Sequence, residues 1–549
     1  MNALSPPPIA THEVTNQAPP LVDHQPFGSN LALREALARE GAGWAESALA
    51  SAARELAGAD WAERGHLANA HPPVLKTHDR FGFRRDEVAF HPAWHECLSW
   101  LKAQGCDTGP WADARPGAHV ARAALFLLFA EVEAGSLCPT TMTYGAVPVV
   151  RGDPALAQDW LPLLLSRTYD RRFAPASEKR GVMMGMGLTE KQGGSDVRAN
   201  SSRAEAIGGG EYLLTGHKWF LSAAMSDAFL VTANTARGLS CFFLPRWTPD
   251  GRPNALRLLR LKDKLGDRSN ATAEVEFEAA WARLVGEEGR GIPTVLEMGN
   301  YTRLDCALGS SGLMRGALNQ ALHHARHRSA FGQALIDQAL MQNVLADLAL
   351  EVEAATALTL RIARGIDRQD HSEDERLLRR ALTPIAKFWV CKRGAQFGAE
   401  AMEVLGGNGY VEEAPLARCY RQLPVNSIWE GSGNVMCLDV LRAIRKHPRI
   451  AELLLAEVAS ARGRNPAFDR HLDRLLAQFK DPEALEARAR RLTQDLALAL
   501  QGALLLEHAP DFVATAFCAS RLGGESAQVL GCLPKGTAFR QILARAAGQ

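Results

Sequence analysis

The sequence predicts a multidomain α+β protein: an N-terminal helical domain, a central antiparallel β-barrel, a C-terminal helical bundle and an extra helical C-terminal domain. Two observations support this order. Apolar residues recur at helical spacing over residues 31–172 and again over 292–445. Between these regions, short runs of β-forming residues alternate with Gly, Asn, Asp and Pro, which is the pattern of a small antiparallel sheet or barrel.

The domain boundaries follow from these changes of pattern. Residues 1–30 are rich in Pro, Asn and Thr, and we expect an extended arm that either packs on the surface or stays loose. Helical periodicity continues after His447-Pro448, which predicts a helical tail. The expected units are residues 1–182 (arm and helical domain), 183–288 (barrel), 289–446 (bundle) and 447–549 (extra domain).

Individual elements can be predicted within the barrel and the bundle. Long apolar-periodic segments joined by short loops indicate an up-and-down bundle, and they span residues 292–328, 338–368 and 374–405. The strand-like runs of the barrel cover residues 211–214, 219–222, 228–232, 240–244 and 273–277.

Composition argues against several classes of protein. The net charge of +1 gives no global reason to expect nucleic acid or an anionic membrane as partner. The ten cysteines lack CxxC spacing, which argues against a zinc ribbon or a disulfide scaffold and suits reduced thiols in a cytoplasmic protein. The N-terminus has no signal-peptide pattern, and no long uncharged apolar stretch predicts a membrane segment.

The most informative residue is Glu430, in the segment Ile428-Trp429-Glu430-Gly431-Ser432-Gly433-Asn434. A carboxylate between bulky apolar residues and a turn of small residues can be held against a flat ligand in a dry pocket. Burial there raises the pKa of the acid and makes it a usable base. The same segment also fits an ordinary helix start with an acid near the helix N-terminus.

Three further segments could contact a ligand. Residues 183–196 are rich in glycine, so their N–H groups could cradle a phosphate or ring oxygen, or they could be an irregular entry into the barrel. In residues 216–222, the Trp219 indole could cover an aromatic cofactor or belong to the core. The glycines of residues 405–410 fit a plain helix end as well as a ligand loop.

A fourth segment, residues 323–332, carries two histidines and an arginine at a helix end. His323 and His327 have metal-ligand spacing, but no HExxH glutamate or third ligand is nearby, so no metal site is predicted. Arg328, followed by Phe331-Gly332, suits a phosphate contact. A solvated basic helix face remains the alternative.

Each segment is weak alone, but their order is specific. A TE…GGSD turn, a KWF strand, an RxxFG helix end, a GGNGY loop and a WEGSGN segment occur in one chain on a helix–sheet–helix layout. Over residues 70–445 this order resembles the acyl-CoA dehydrogenase family of flavoproteins. It is most similar to the adaptive-response (AidB-like) branch, which is associated with alkylation stress, binds FAD and includes members that bind double-stranded DNA.

The resemblance implies a homotetramer in which FAD lies between barrel and bundle. By this comparison Arg328, Phe331, Gly406 and Gly407 meet the pyrophosphate and adenine end of FAD from a neighbouring subunit. The other cofactor contacts implied by the resemblance are Met186, Leu188, Thr189, Gly194, Ser195, Trp219, Phe220, Leu221, Ser222, Ile428, Ser432 and Asn434.

The resemblance also implies that Glu430 is the catalytic base. The family base removes the proton alpha to an acyl-CoA thioester carbonyl while hydride leaves the beta carbon for flavin N5. Other members place this glutamate beside an arginine in the first bundle helix. Here Thr302 precedes Arg303, so that position supplies no carboxylate. Bulky Trp429 is expected to narrow the acyl pocket.

The tail is absent from typical family members and is a candidate DNA-binding region. Its basic residues form two groups, and repetition of such groups in a tetramer would favour a polyanion. A solvated helix face explains them equally well. The groups are Arg442, Arg445, Lys446 and Arg449 at the junction, and Arg488, Arg490 and Arg491 further along.

The sequence therefore supports one leading hypothesis. The chain is expected to be a cytoplasmic FAD protein of the adaptive response to alkylation that binds double-stranded DNA and keeps weak or residual acyl-CoA dehydrogenase activity. Two alternatives stay open: an ordinary acyl-CoA dehydrogenase of fatty- or branched-acid catabolism, and a catalytically inactive flavoprotein scaffold.

Overall fold

The computed structural model describes residues 11–480, 485–523 and 527–549. Helical N-terminal and C-terminal parts flank a central β-barrel, as the sequence predicts. Residues 11–20 lie on the protein surface, and the arm then enters the core at Phe27 before the first helix begins. In the three described ranges, no helix is long and apolar enough to cross a membrane.

The N-terminal domain is helical but contains a β-hairpin that the helical pattern failed to predict. Its strands are short and carry charged residues, so they show little apolar alternation. The Asp79 carboxylate forms the turn by accepting the N–H groups of Phe81 and Phe83 at 2.9 and 3.0 Å. The elements are α1 (Leu31–Arg39), α2 (Glu46–Leu56), α3 (Ala59–Ala70), β1 (Val74–His78), β2 (Arg84–Ala89), α4 (Pro92–Gln104), α5 (Gly109–Ala112), α6 (Ala118–Ala130), α7 (Leu137–Arg151) and α8 (Pro154–Leu164).

Residues 184–285 form the seven-stranded barrel. The strand order is β3-β5-β4-β6-β7-β9-β8, and an added pairing of β5 with β9 closes the sheet. The pairing is antiparallel apart from β3 and β4 with β6. The strands are β3 (Met184–Gly187), β4 (Arg203–Gly208), β5 (Glu211–Ser222), β6 (Ala228–Thr235), β7 (Gly238–Pro245), β8 (Leu256–Leu261) and β9 (Thr272–Val285).

Two of the predicted strands are the two ends of one strand, β5. Gly216 interrupts the run of β-forming residues, so the sequence suggests a break there. The ladder continues through it, because Gly216 pairs with Phe277 of β9. A Cβ at this position would lie 2.3 Å from the Ser202 Oγ, so the close approach of the two chains requires glycine.

The bundle agrees with the predicted long helices to within two residues at each end. Its elements are α9 (Gly291–His327), β10 (Ser329–Ala330), β11 (Gln333–Ala334), α10 (Ala339–Arg368), α11 (Glu373–Val404), α12 (Gly407–Tyr410), α13 (Pro415–Asn426) and α14 (Gly433–Lys446). The tail is helical, as its periodicity predicts, with α15 (Arg449–Ala459), α16 (Pro466–Lys480), α17 (Ala489–His508), α18 (Asp511–Phe517) and α19 (Phe539–Ala546).

A single hydrophobic core joins the N-terminal helices, the bundle and the tail. The tail is also fixed by polar contacts, since the Trp389 indole N–H of α11 donates to Gln501 Oε1 of α17 at 3.1 Å. Arg545 of α19 pairs with Glu35 of α1 and Glu353 of α10 at 2.5 and 2.8 Å. The last helix therefore ties the first helix to the bundle.

A buried ion pair connects the N-terminal domain to α9. The Arg122 guanidinium donates to both carboxylate oxygens of Asp305, at 2.5 and 2.7 Å, and both side chains are buried. The Thr141 hydroxyl adds a bond of 2.7 Å to the same carboxylate. These donors to Asp305 come from the N-terminal helices, so this carboxylate fixes α6 and α7 against α9.

We predict that Asp305→Ala lowers the stability of the protein by about 3–5 kcal/mol, because it leaves the Arg122 charge buried without a partner. Thermal and denaturant unfolding of the purified protein measure this loss. Asp113→Ala is the matched control, since its pair with Arg115 is exposed and worth at most about 1 kcal/mol. Equal stability of the two variants would contradict the prediction.

Candidate active and cofactor site

Glu430 lies in the turn between α13 and α14, in a strained backbone conformation. Its φ is +58°, and Gly431 follows at +113°. A left-handed conformation costs a non-glycine residue about 1–2 kcal/mol. Such strain persists only where surrounding contacts enforce it, and it is concentrated at functional sites.

Two buried cations hold this turn. Arg303 Nε donates to the backbone carbonyl of Glu430 at 3.0 Å, and Lys387 Nζ donates to the carbonyl of Gly431. Arg303 is held in turn by Asp439, at 2.9 Å. The three anchors come from α9, α11 and α14, so the three helices together determine the backbone of the turn.

The carboxyl group of Glu430 accepts a hydrogen bond from the Thr302 hydroxyl, at 2.6 Å. Burial raises the pKa of Glu430 above its ordinary value, while the Thr302 hydrogen bond and the charges of Arg303 and Lys387 oppose that rise. A carboxylate with a raised pKa is a stronger base near neutral pH. Sequence reasoning rejected Thr302 as a base and missed it as the hydrogen-bond donor to the base.

The pocket beside Glu430 is small and mostly apolar. Its volume is about 40 Å³, and its walls include Phe126, Leu137, Met142 and Trp429. The Trp429 indole N–H donates to Asn426 Oδ1 at 3.1 Å, which fixes the ring against the pocket. A volume of this size holds little more than a water molecule, so the pocket beside Glu430 is narrow.

A much larger cavity adjoins this pocket. It measures about 730 Å³, lies beneath the N-terminal arm and shares Ala134, Leu313 and Gln422 with the pocket of Glu430. Volumes of this order are typical of small-molecule sites. The two cavities are therefore neighbours that share the wall at Leu313.

A second buried ion pair fixes the glycine-rich loop to the barrel. Glu190 and Lys218 form a pair at 2.6 Å, and both side chains are fully buried. Burial alone would raise the pKa of Glu190, but the Lys218 charge and hydrogen bonds from Ser201 and Ser202 lower it to about 2. The backbone N–H of Trp219 also donates to the backbone carbonyl of Thr189 at 2.8 Å. In the sequence both charged residues look like surface residues, so the pair was not predicted.

An aromatic ring of β5 and three cations lie together beside the glycine-rich loop. The Trp219 ring is partly exposed and Phe220 is exposed. Lys262 Nζ lies 3.3 Å from the centre of the Trp219 ring, and Lys191 and Arg260 approach it at 5.6 and 5.8 Å. A flat ring beside clustered cations suits a planar cofactor that carries phosphates.

The structure brings the glycine-rich loop and the Glu430 turn together. Met186, Leu188 and Trp429 pack in one apolar cluster between barrel and bundle. Met186 pairs with Ser222 between β3 and β5. Thr189 is half-buried, and the predicted contacts Gly194 and Ser195 are exposed in the same loop.

Leu221, one of the predicted cofactor contacts, has its side chain inside the barrel. The Leu221 side chain is fully buried in the barrel core, in one cluster with Ala224 and Phe229. The register of β5 against β9 shifts between Lys218 and Leu221, and across this irregularity Phe220 lies on the surface while Leu221 turns into the core. Its side chain is therefore not available to the cofactor.

Four of the predicted contacts form an outer group that does not line the pocket of Glu430. Phe331 is 100% exposed at the tip of the β10–β11 hairpin. A Cβ added at Gly406 or Gly407 would meet no atom within 4 Å. Arg328 is half-buried.

Ile428, a further predicted contact outside this group, is 65% exposed and lies on the surface beside the Glu430 turn.

The histidine spacing on α9 does not form a metal site. The His323 ring bonds the Pro19 carbonyl at 2.7 Å, and His327 Nδ1 bonds the carbonyl of His323 at 2.8 Å. Within residues 11–480, 485–523 and 527–549, no three His, Cys, Asp or Glu side chains are grouped as metal ligands.

The predicted basic groups lie at opposite ends of α14. Arg490 donates to Asn434 Oδ1 at 2.7 Å, at the start of the helix, and Arg491 pairs with Asp495 at 2.8 Å. At the other end, Arg449 pairs with Asp374 at 3.0 Å. Three residues at that end are exposed and have no ion pair in the described part of the chain: Arg442, Arg445 and Lys446. These three residues, here called the α14 basic end, extend to about 18 Å along the helix from Asn434.

Thr302→Val should raise the pKa of Glu430 further, because the hydroxyl hydrogen bond stabilises the charged carboxylate. The pH dependence of the carboxyl infrared difference spectrum measures this, with Glu430→Gln identifying the band. Thr302→Ser keeps the hydroxyl and serves as the control. An unchanged or lowered midpoint in Thr302→Val would contradict the role given to Thr302.

Three family models match successive parts of the chain. Residues 16–171 match the adaptive response protein AidB N-terminal domain. Residues 185–280 match the acyl-CoA dehydrogenase middle domain, and residues 289–445 match the acyl-CoA dehydrogenase C-terminal domain.

The similarity to individual proteins extends over most of the chain. The putative acyl-CoA dehydrogenase AidB of Escherichia coli (strain K12) is 52% identical over 510 residues, which cover 92% of this chain and 94% of that protein. Acyl-CoA dehydrogenase family member 11 of Caenorhabditis elegans is 29% identical over 81% of this chain and 78% of its own. The crystal structure of Caenorhabditis elegans ACDH-11 in complex with C11-CoA has a TM-score of 0.86 at 26% identity and covers 95% of both chains. The chain therefore belongs to the AidB-like branch of the acyl-CoA dehydrogenase family, whose members are FAD-dependent flavoproteins.

Proposed function

We propose that this chain is a cytoplasmic FAD protein of the adaptive response to alkylation, which binds double-stranded DNA and has weak or residual acyl-CoA dehydrogenase activity. The observation that carries the enzymatic part is the Glu430 turn. A carboxyl group with a raised pKa is fixed by Thr302 and by two anchored carbonyls beside an apolar pocket. This arrangement suits a base that removes a weakly acidic C–H proton.

The residues of the site fit FAD. The partly exposed Trp219 ring and the exposed Phe220 ring suit the ring system, and the apolar side chains of Met186 and Leu188 suit its surroundings. Thr189 and Ser222 contribute hydroxyl groups. At the N-terminus of α14, Ser432 makes no side-chain capping bond, which leaves that end of the helix open to a phosphate. FAD supplies hydride acceptance at this position when it is bound.

Glu430 is proposed to take the proton alpha to the thioester carbonyl. Thr302 directs one carboxylate oxygen, and the anchors Arg303 and Lys387 prevent the turn from relaxing. The apolar pocket excludes water, so the carboxylate is poorly solvated before reaction and a better proton acceptor. These residues bind, orient and deprotonate the acyl group.

The size of the pocket supports weak activity. About 40 Å³ beside Glu430 leaves little room for a substrate, and Trp429 is one of the walls. The adjoining cavity of about 730 Å³ could take the remainder of a chain. ACDH-11 of Caenorhabditis elegans crystallised in complex with C11-CoA, which supports an acyl-CoA ligand for this chain also.

The DNA-binding part of the proposal rests on charge. The α14 basic end presents three exposed cations without carboxylate partners in the described residues, at spacings that put them on one helix face. Unpaired cations gain most from neutralising phosphates, because binding releases counterions.

Exposed Phe331 and the open glycine loop at Gly406 support a further contact with neighbouring copies, and we propose a homotetramer.

Glu430→Gln should slow reduction of the flavin by acyl-CoA by about 100-fold or more, because the amide cannot take the proton. The measurement is anaerobic bleaching of the visible flavin absorbance. The variant is expected to keep its flavin, since the amide retains the size of the side chain. Glu297→Gln, an exposed carboxylate change on α9, is the control.

Wild-type rates in Glu430→Gln would overturn the assignment of the base. Fast reduction of the wild-type protein by an acyl-CoA would favour an ordinary acyl-CoA dehydrogenase. Flavin that stays oxidised with every acyl-CoA would favour the inactive scaffold.

Replacing the α14 basic end with alanine should weaken duplex DNA binding irrespective of DNA sequence. The triple variant of Arg442, Arg445 and Lys446 is expected to reduce the slope of log affinity against log salt by about 3, or roughly one phosphate contact per cation. Fluorescence anisotropy with a labelled duplex at several salt concentrations measures this slope.

Arg449→Ala is the matched control for the DNA experiment. Arg449 is adjacent, but Asp374 and Glu452 already neutralise it at 3.0 and 3.1 Å, so we expect little change in affinity. A triple variant that binds duplex with the wild-type slope would exclude the α14 basic end as the contact surface.

A further inference from the structure

One residue of the N-terminal arm holds the backbone at Arg328 and Ser329. Asn16 Nδ2 donates to the Ser329 carbonyl at 2.8 Å, and the Ser329 N–H donates to Asn16 Oδ1 at 2.7 Å. Arg328 Nη1 donates to the backbone carbonyl of Asn16 at 2.6 Å. These hydrogen bonds connect Asn16 to two consecutive residues that lie far away in the sequence.

These bonds complete the edge of a very small hairpin. β10 and β11 have two residues each, and Phe331 and Gly332 form the turn with φ of +52° and +81°. Two left-handed residues in a two-residue loop are typical of a type I′ turn. A hairpin this short has little stability of its own. The Asn16 side chain bonds the outer edge of Ser329 as a third strand would.

Asparagine suits this position for two reasons. Its φ is +56°, and asparagine tolerates the left-handed region better than most residues. Its amide also supplies one donor and one acceptor, which match the C=O and N–H of Ser329. Glycine would keep the backbone conformation and lose only the side-chain bonds.

The rest of the arm follows the same surface. The Pro19 carbonyl meets the His323 ring at 2.7 Å, and the Asp23 N–H donates to the Ala57 carbonyl at 2.8 Å. Gln17 approaches Asn408, in the GGNG loop, at 3.5 Å. The arm therefore lies against both outer elements to which a cofactor contact is assigned above.

We propose that Asn16 is a positioning residue for the cofactor. It holds the Arg328 guanidinium and the β10–β11 hairpin in the orientation that meets the FAD pyrophosphate, so that less side-chain freedom is lost on binding. Arg328 keeps further N–H donors for the phosphate after its bond to Asn16. This inference rests on the FAD contact proposed for Arg328.

A double-mutant cycle tests the inference. FAD dissociation constants are measured for the full-length wild-type protein, Asn16→Gly, Arg328→Ala and the double variant, by reconstitution of flavin-free protein and quenching of flavin fluorescence. Asn16→Gly should weaken FAD binding by about 3- to 10-fold, the loss expected from one or two hydrogen bonds. Arg328→Ala should weaken it at least as much, and the double variant should bind no worse than Arg328→Ala alone.

Two controls separate positioning from general destabilisation. Thr15→Ala changes an exposed neighbour that makes no side-chain hydrogen bond in the described part of the chain, and it should bind FAD as the wild type does. FMN lacks the pyrophosphate and adenine, so its affinity should be equal in Asn16→Gly and the wild type. The flavin-free variants should also keep the cooperative thermal transition of the wild type, with any shift limited to that expected for the lost Asn16 side-chain hydrogen bonds.

The outcomes distinguish the two levels of the proposal. If Arg328→Ala weakens FAD binding while Asn16→Gly leaves it intact, or if the two losses add, the positioning role of Asn16 is excluded and the Arg328 contact stands. If Arg328→Ala leaves FAD affinity unchanged, the cofactor contact proposed for Arg328 fails, and the role of Asn16 fails with it.

Discussion

The proposed active site depends on two buried cations that hold the backbone carbonyls of Glu430 and Gly431. Without Arg303 and Lys387, the left-handed conformation of Glu430 would relax, and the carboxyl group would turn away from Thr302. Removing such cations from water costs free energy. Hydrogen bonds to backbone carbonyls offset part of this desolvation penalty only if the donors and acceptors are held in good geometry. The long helices α9 and α11 supply the necessary rigidity, and Asp439 of α14 completes the arrangement. The bundle thus maintains the strain of one turn.

The barrel presents the other half of the site by the same means. The buried pair Glu190–Lys218 fixes the glycine-rich loop, and Met186, Leu188 and Trp429 belong to one apolar cluster shared by the barrel, the bundle and the N-terminal helices. Segments outside these two domains also reach the site. Arg490 of the tail bonds Asn434 of α14. The tail lies beyond the matched family domains, so this contact connects it to the start of α14, where a cofactor contact is proposed.

Much of this architecture could be predicted from the sequence, because the spacing of apolar residues shows which face of each helix or strand is buried. The helices α9, α10 and α11 agree with the prediction within two residues, and Glu430 can be singled out from its neighbours alone. What sequence reasoning missed was long-range pairing. In the sequence Lys218 and Glu190 resemble ordinary surface charges, because their pairing depends on the packing of β5 against the glycine-rich loop. Thr302 could be predicted only as a position without a carboxylate, because its hydrogen bond to Glu430 forms between residues that are distant in the sequence. Gly216 divided β5 in the prediction because its close packing on Ser202 leaves no local signal.

The Glu430 turn is proposed to act as a base beside a flavin, in a pocket that restricts access by acyl groups. Anaerobic titration of the purified flavoprotein with acyl-CoAs of increasing chain length tests it most directly, with and without duplex DNA. The account predicts slow, incomplete loss of the flavin absorbance with at least one acyl-CoA. Flavin that stays fully oxidised with every acyl-CoA, yet is reduced by a chemical reductant, would contradict it.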